Sequence, residues 1–284
     1  MDEKVLNEVI AYEYLWSLEK SNLRKISEQL VKPKLKPTQI IQNDLFSETN
    51  IPSEIIDYIN SINSNYSVLF YDNPYYSTSL FDVETPVPMF YYKGNINLLK
   101  TPLISIVGTR NMTFDGASRA AKISKLLSNK GYTIVSGLAK GIDTIALETA
   151  VKNNKPVIAV IGTPLNEYYP KENKKLQDYI SDNCLLLSQV PFYKYSKQPF
   201  QTKRFYFPER DVTMAALSKA TIVVEASDHS GTLIQARACM KLNKPLFILN
   251  SCFENNKITW PKYYESKGAY RVKDISDIIN KMDS

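Results

Sequence analysis

Histidine is almost missing from this chain: His229 is the single one among 284 residues. The three cysteines, Cys184, Cys239 and Cys252, lie far apart and form no CxxC pair. These shortages exclude a zinc site of ordinary ligand spacing and leave a Ser-His-Asp triad only one conceivable base. No metal and no cofactor are expected, and Cys184 and Cys239, set in apolar patterns, read as small buried hydrophobes. No apolar run approaches the length of a membrane span, and the polar start Met1-Asp2-Glu3-Lys4 is unlike a signal peptide, so a cytoplasmic protein without membrane attachment is expected. Glycine is scarce too, with nine residues, and where those few fall carries information.

What is present is a basic second half. Residues 1 to 100 hold 9 Lys and Arg against 13 Asp and Glu, whereas residues 101 to 284 hold 26 against 16. That excess suits a polyanionic partner. The length allows one large domain and a smaller one.

Along residues 3 to 20, Val5, Val9, Ile10, Leu15, Trp16 and Leu18 recur at a helical period, and further helices are expected over 23 to 30 and 53 to 62, with Ser53 as an N-cap. Between them Lys32 to Pro37 is a basic, proline-punctuated connector. Residues 1 to 65 therefore form a small helical domain. Strands are expected at 67 to 71 and 89 to 94, and the eight aromatics from Phe70 to Tyr92 read as a packed lid on a sheet edge rather than a base-stacking platform.

From Leu103 the pattern alternates regularly. Strands at 103 to 107, 132 to 136, 156 to 161, 184 to 188, 221 to 225 and 245 to 249, with helical stretches between most of them, predict an α/β fold with a doubly wound, mostly parallel sheet. The aromatic and basic stretch from Pro191 to Pro208 fits neither element and reads as a long functional or disordered loop. After Ile248 only a connector and a short helix near 274 to 282 are expected.

Four strand ends carry small-residue loops: Gly108-Thr109-Arg110, Ser136-Gly137, Gly162-Thr163-Pro164 and Ser230-Gly231-Thr232. Glycines there let backbone approach an anion, and Arg110 and Lys140 add charge within reach. The loops spell neither GxGxxG nor GxxxxGK[ST], which argues against a usual dinucleotide fold and a P-loop. Asp143 and Glu225 are the acids on this crest. They read as orienting groups, because no third polar group is placed to make them a catalytic pair, and His229 reads as a loop residue in solvent or hydrogen-bonded.

Several pieces, in order, resemble the DNA-processing protein A (DprA, also called Smf) family: Asn73-Pro74-Tyr75-Tyr76, Tyr91-Tyr92-Lys93-Gly94-Asn95, Ile106-Val107-Gly108-Thr109-Arg110, Val135-Ser136-Gly137-Leu138-Ala139-Lys140-Gly141-Ile142-Asp143, Tyr169-Pro170 with Glu172-Asn173, Phe207-Pro208, and Ser230-Gly231-Thr232-Leu233. The resemblance implies a helical (SAM-like) domain over 1 to 65 and an extended Rossmann-like domain over 66 to 284, with residues 66 to 102 as its N-terminal extension and no C-terminal winged helix. It also implies a homodimer that binds single-stranded DNA and loads RecA recombinase in natural transformation, without being an enzyme. On that basis Arg110 and Lys140 would pair with phosphates, and amides around Gly108, Thr109, Ser136, Gly137 and Gly141 would donate to phosphate oxygens. Lys203, Arg204 and Arg210 would line the groove, Ser230, Gly231 and Thr232 would close it, and Asp143, Glu225 and Asn173 would orient its loops.

The chain departs from the family after Phe207-Pro208, where asparagine and arginine are usual and Glu209-Arg210-Asp211-Val212 stands instead. Two acids on that rim would weaken phosphate contacts. Two other readings remain open. One is a nucleotide-processing enzyme, against which Gln235 stands where the related phosphoribohydrolases resemble one another in a catalytic glutamate. The other is a sensor that binds a nucleotide signal on the same crest.

Overall fold

The computed structural model describes residues 1–42, 51–62 and 65–283. Four helices come first: α1 (Glu3–Ser17), α2 (Leu23–Leu30), α3 (Pro37–Gln42) and α4 (Ser53–Ser61). The first two are capped by side chains, since Asp2 accepts from the Val5 amide at 2.9 Å and Asn22 from the Lys25 amide at 3.0 Å. At α4 the expected cap differs. Pro52 holds the cap position, no side chain caps the helix, and Ser53 is already its first residue.

Then follow β1 (Ser67–Phe70), β2 (Met89–Gly94), β3 (Leu103–Val107), α5 (Phe114–Asn129), β4 (Thr133–Ser136), α6 (Ile142–Lys152), β5 (Val157–Ile161), α7 (Lys174–Asn183) and β6 (Leu185–Ser188). Next are α8 (Phe192–Lys197), α9 (Phe200–Lys203), α10 (Tyr206–Leu217), β7 (Thr221–Val223), α11 (Thr232–Lys241) and β8 (Leu246–Leu249). The chain closes with α12 (Asn250–Glu254), α13 (Trp260–Glu265), β9 (Tyr270–Val272) and α14 (Ile275–Asp283).

The strands make one sheet in the order β1-β2-β6-β5-β4-β3-β7-β8-β9. From β6 to β9 every pairing is parallel, while β2 runs antiparallel to β1 and to β6. Helices cover both faces of the parallel part, which is why β3 and β5 are buried at every position and read as unbroken apolar runs. The chain leaves β3 first towards β4, β5 and β6, then crosses back to β7, β8 and β9. The order reverses between β3 and β7, and in doubly wound sheets the crevice at the carboxyl ends of such strands is where ligands bind.

Two further expectations are corrected, and a third is met. The stretch from Pro191 to Pro208 is not a loop but α8, α9 and the start of α10. Its prolines mislead because Pro191 and Pro199 cap helices and Pro208 sits in the first turn of α10, where a missing N–H costs nothing. Beyond Ile248 the chain adds α12, α13 and a ninth strand, too short to show a period. The Phe70 to Tyr92 region is the packed edge expected: Tyr71, Tyr76, Phe90 and Tyr91 are buried.

The N-terminal helices share one continuous core with the sheet. Their junction is polar at one point. Glu13 on α1, fully buried, accepts from the Tyr91 hydroxyl on β2 and from the amides of Phe192 and Tyr193 at 2.8 and 3.0 Å. A carboxylate thus sits at the N-terminus of α8, where unpaired amides point.

Candidate nucleic-acid interface at the crest of the sheet

The loop after β3 is bonded through backbone to the segments that follow β7 and β4. Thr109 donates its amide to the Glu225 carbonyl at 2.7 Å, and its own carbonyl accepts from the Ile142 amide at 3.2 Å. This closeness dictates the glycines. A Cβ on Gly108 would lie 2.6 Å from the Ile142 side chain, and one on Gly141, whose φ is +89°, would lie 2.4 Å from the Thr109 carbonyl oxygen.

Beneath the loops lies a buried charge cluster. Arg210 on α10 is 4% exposed; its Nη1 donates to the carbonyls of Gly137 and Val160, and its Nε pairs with Asp211 at 2.9 Å. A Cβ on Gly137 would overlap that guanidinium at 2.1 Å from Nη1. Asp143, buried at the start of α6, accepts the Gly137 amide at 3.1 Å. Burial pushes its carboxyl up to about 6 against the pull of Arg210, and burial likewise raises Asp211, held in check by Arg210 and Arg110.

Above this floor opens a cavity of about 400 Å³ lined by residues from the ends of β3, β4 and β7 and the first turns of α10 and α11. At its mouth the exposed Arg110 guanidinium lies 5.9 Å from the Tyr169 ring centre and 5.7 Å from that of Phe207, and the two rings are 5.3 Å apart. Among the described residues no carboxylate pairs with Arg110. Phe207 is seated by Gly162, where a Cβ would reach within 2.5 Å of its ring. On the far wall the Thr232 hydroxyl donates to the Gly108 carbonyl at 3.0 Å, and Ser230 donates to Thr232 at 2.9 Å, so α11 begins directly at the cavity. The combination is an unpaired cation on two aromatic faces beside a helix N-terminus, which suits a phosphate with a base next to it.

Residues 67–283 match the DNA recombination-mediator protein A family. The chain belongs to this family. It is 41% identical over 219 residues to the DNA processing protein DprA of Streptococcus pneumoniae, covering 77% of this chain and 74% of that one. It is 38% identical over 182 residues to Protein Smf of Synechocystis, where it spans 44% of the relative's length. The X-ray structure of the pneumococcal DprA superposes with a TM-score of 0.72 at 28% identity, covering 98% of this chain and 93% of that one. A DprA structure from Helicobacter pylori, described for its single-stranded DNA binding mode, superposes with a TM-score of 0.66 at 29% identity over 78% of this chain and 96% of its own. The Rossmann-like fold is therefore that of the DprA family.

Of the residues singled out in the sequence, Gly108, Thr109, Arg110, Asp143, Arg210, Ser230, Gly231 and Thr232 line the cavity. Others do not reach it in the expected role. Ser136 is fully buried and its hydroxyl donates to the Ile106 carbonyl at 2.7 Å, inside the sheet. The amides of Thr109 and Gly137 serve the Glu225 carbonyl and the Asp143 carboxylate, so these two are already bonded within the protein, while Arg210 binds two carbonyls through Nη1 and Asp211 through Nε and lines the cavity with Nη2 bonded to no group among the described residues. Gly141 permits the loop contact, Lys140 is exposed beside it, and Lys203 and Arg204 lie on the turn into α10 over the rings of Tyr195 and Phe205. Glu225 accepts from the Thr113 amide and hydroxyl at 3.1 and 3.0 Å, and Asn173 donates to the Leu138 carbonyl and the Thr144 hydroxyl at 2.9 and 2.8 Å. The two acids after Pro208 part company: Asp211 faces the cavity, while Glu209 lines a different one behind α10.

Tyr169 and Phe207 were not among the expected site residues. Their signal was available in the Tyr-Pro and Phe-Pro pairs of the DprA pattern, but nothing in either dipeptide says that the two rings meet. Gln235 lines the cavity from α11, buried, with its amide 3.4 Å from the Thr221 hydroxyl.

Proposed function

We propose that this chain binds single-stranded DNA without reading its sequence, with a phosphate beside Arg110 and the start of α11 and a base against Tyr169 and Phe207. The observation that carries this reading is Arg110, exposed, without a carboxylate partner among the described residues and laid over two aromatic rings at the cavity mouth. Lys140, Lys203 and Arg204 extend the positive surface along which the strand would run. Membership of a recombination-mediator family supports the next step: the protein works in the cytoplasm as a homodimer, shields incoming single strands in natural transformation and loads RecA recombinase on them. No helix among the described residues is long and apolar enough to cross a membrane. A buried Gln235 in place of a carboxylate supports binding over hydrolysis, so we assign no catalytic residue and no cofactor.

A second reading rests on the cavity's size. About 400 Å³ also accommodates a single nucleotide, so the crest would suit a nucleotide signal. One experiment separates the two: equilibrium binding of fluorescent oligothymidine across a salt series, with mononucleotides as competitors. Salt-sensitive binding that mononucleotides displace poorly supports the DNA reading. Absence of DNA binding with tight binding of one nucleotide overturns it.

A further inference from the structure

A second cavity, of about 490 Å³, lies behind α10, between the start of α2, the segment from Leu80 to Val87 and the flank of α11. Its walls include Leu80, Val83, Val87, Val212 and Ile234, and its volume falls within the range typical of small-molecule sites. Two charged groups at its edge, Arg24 and Glu84, are exposed and paired with each other. The remaining charged residue in the lining is Glu209. Among the described residues none donates a hydrogen bond to its carboxylate and no cation lies within ion-pair distance. Lys194, the cation acting on it, is held by the carbonyl and hydroxyl of Ser21. The charge that acts on Glu209 from a neighbouring element is Lys194 on α8, and the field of Glu209 in turn helps to raise the phenols of Tyr12 on α1 and Tyr206 on α10. Glu209 is half-buried, so its carboxylate stands at the cavity wall open to a ligand and without a donor from the protein, and burial pushes it up to about 7.

We propose that this cavity is a binding site for a small amphipathic organic cation, a primary amine on an apolar body, whose ammonium donates to Glu209 while the body fills the space between Leu80, Val83, Val87 and Ile234. The class follows from complementarity. An anion would meet a like charge, and a neutral apolar molecule would leave Glu209 as it is. The proposal does not rest on DNA binding, since Glu209 is not among the residues that line the crest cavity.

The test is calorimetric titration of the full chain with 2-phenylethylamine at pH 7.5, beside 2-phenylethanol and 3-phenylpropionate as neutral and anionic probes of similar shape. The amine is expected to bind at least tenfold more tightly than either. Glu209→Gln is expected to remove that preference, leaving amine and alcohol alike, and Val83→Trp, which fills the cavity from its edge, to remove binding of all three. No saturable amine binding, equal affinity for amine and alcohol in the unmodified chain, or an amine preference that survives Glu209→Gln each overturns the proposal. Thermal unfolding at or above that of the unmodified chain in both variants separates a lost site from a lost fold.

Discussion

Arg110 and Arg210 have the same side chain and opposite situations. Arg210 is buried with its Nη1 bonded to two carbonyls and its Nε to Asp211, whereas Arg110 is exposed over two rings. A charge-assisted hydrogen bond contributes about 1.5–3 kcal/mol. Arg110→Ala is therefore expected to weaken oligothymidine binding by about tenfold or more and to lower the salt slope by roughly 0.7, the share of one phosphate on a single strand. An unchanged slope in the salt series would remove Arg110 from the phosphate contact. Asp211 acts in the other direction. It places a carboxylate in the lining of the same cavity, in the stretch after Phe207-Pro208 where the family resemblance leads one to expect polar or basic residues. Asp211→Asn keeps an oxygen for the Arg210 Nε and removes a like charge worth on the order of 1 kcal/mol, so DNA is expected to bind roughly fivefold more tightly. Since burial raises Asp143 to about 6, the unmodified chain is expected to bind DNA more tightly at pH 6 than at pH 8. Anisotropy titrations at the two pH values measure both effects.

Among the elements, α8 and α10 connect the N-terminal helices to the crest. Glu13 on α1 reaches across to the first turn of α8, and α10 presents Phe207, Arg210 and Asp211 to one cavity and Glu209 to the other. Replacing Glu13 with glutamine keeps the shape but turns one acceptor into a donor that faces amide N–H groups. The expected cost is about 2 kcal/mol of unfolding free energy, read as a lower urea midpoint at pH 8 with an unchanged m-value. No loss at pH 8 would mean that the α8 amides find other partners and that Glu13 does not hold the junction.

For the whole molecule, four carboxyls among the described residues are displaced upwards by burial: Glu13 and Glu209 to about 7, Asp143 to about 6, and Asp211. In the unfolded chain such groups release their protons near pH 4. Between about pH 4.5 and 7 the native state thus holds protons that the unfolded state has lost, and stability falls as pH rises through that window. Urea midpoints are expected to be higher at pH 5 than at pH 7.5, and Glu13→Gln to flatten the difference. Stability that rises over this interval would contradict the burial of these charges.

Much of this organisation is determined by the sequence alone. Parallel strands buried on both faces must be unbroken apolar runs, so the six from β3 to β8 were legible, as were the glycine loops that end several of them. Family-specific stretches such as Ser136 to Asp143 were legible for a related reason: neighbours in sequence there are neighbours in space. The tertiary structure decided what depends on partners far along the chain. That Ser136 faces inward, that Arg210 braces the carbonyls of Gly137 and Val160 beneath the cavity, and that Tyr169 meets Phe207 under Arg110 each follow from contacts across dozens of residues. The helices over 192 to 208 were hidden because proline forbids a helix interior but not its first turn, and only packing against the sheet selects between a loop and a capped helix. Which way Glu209 and Asp211 point depended on the rotation of α10 about its axis, and that rotation is set by the core it packs against.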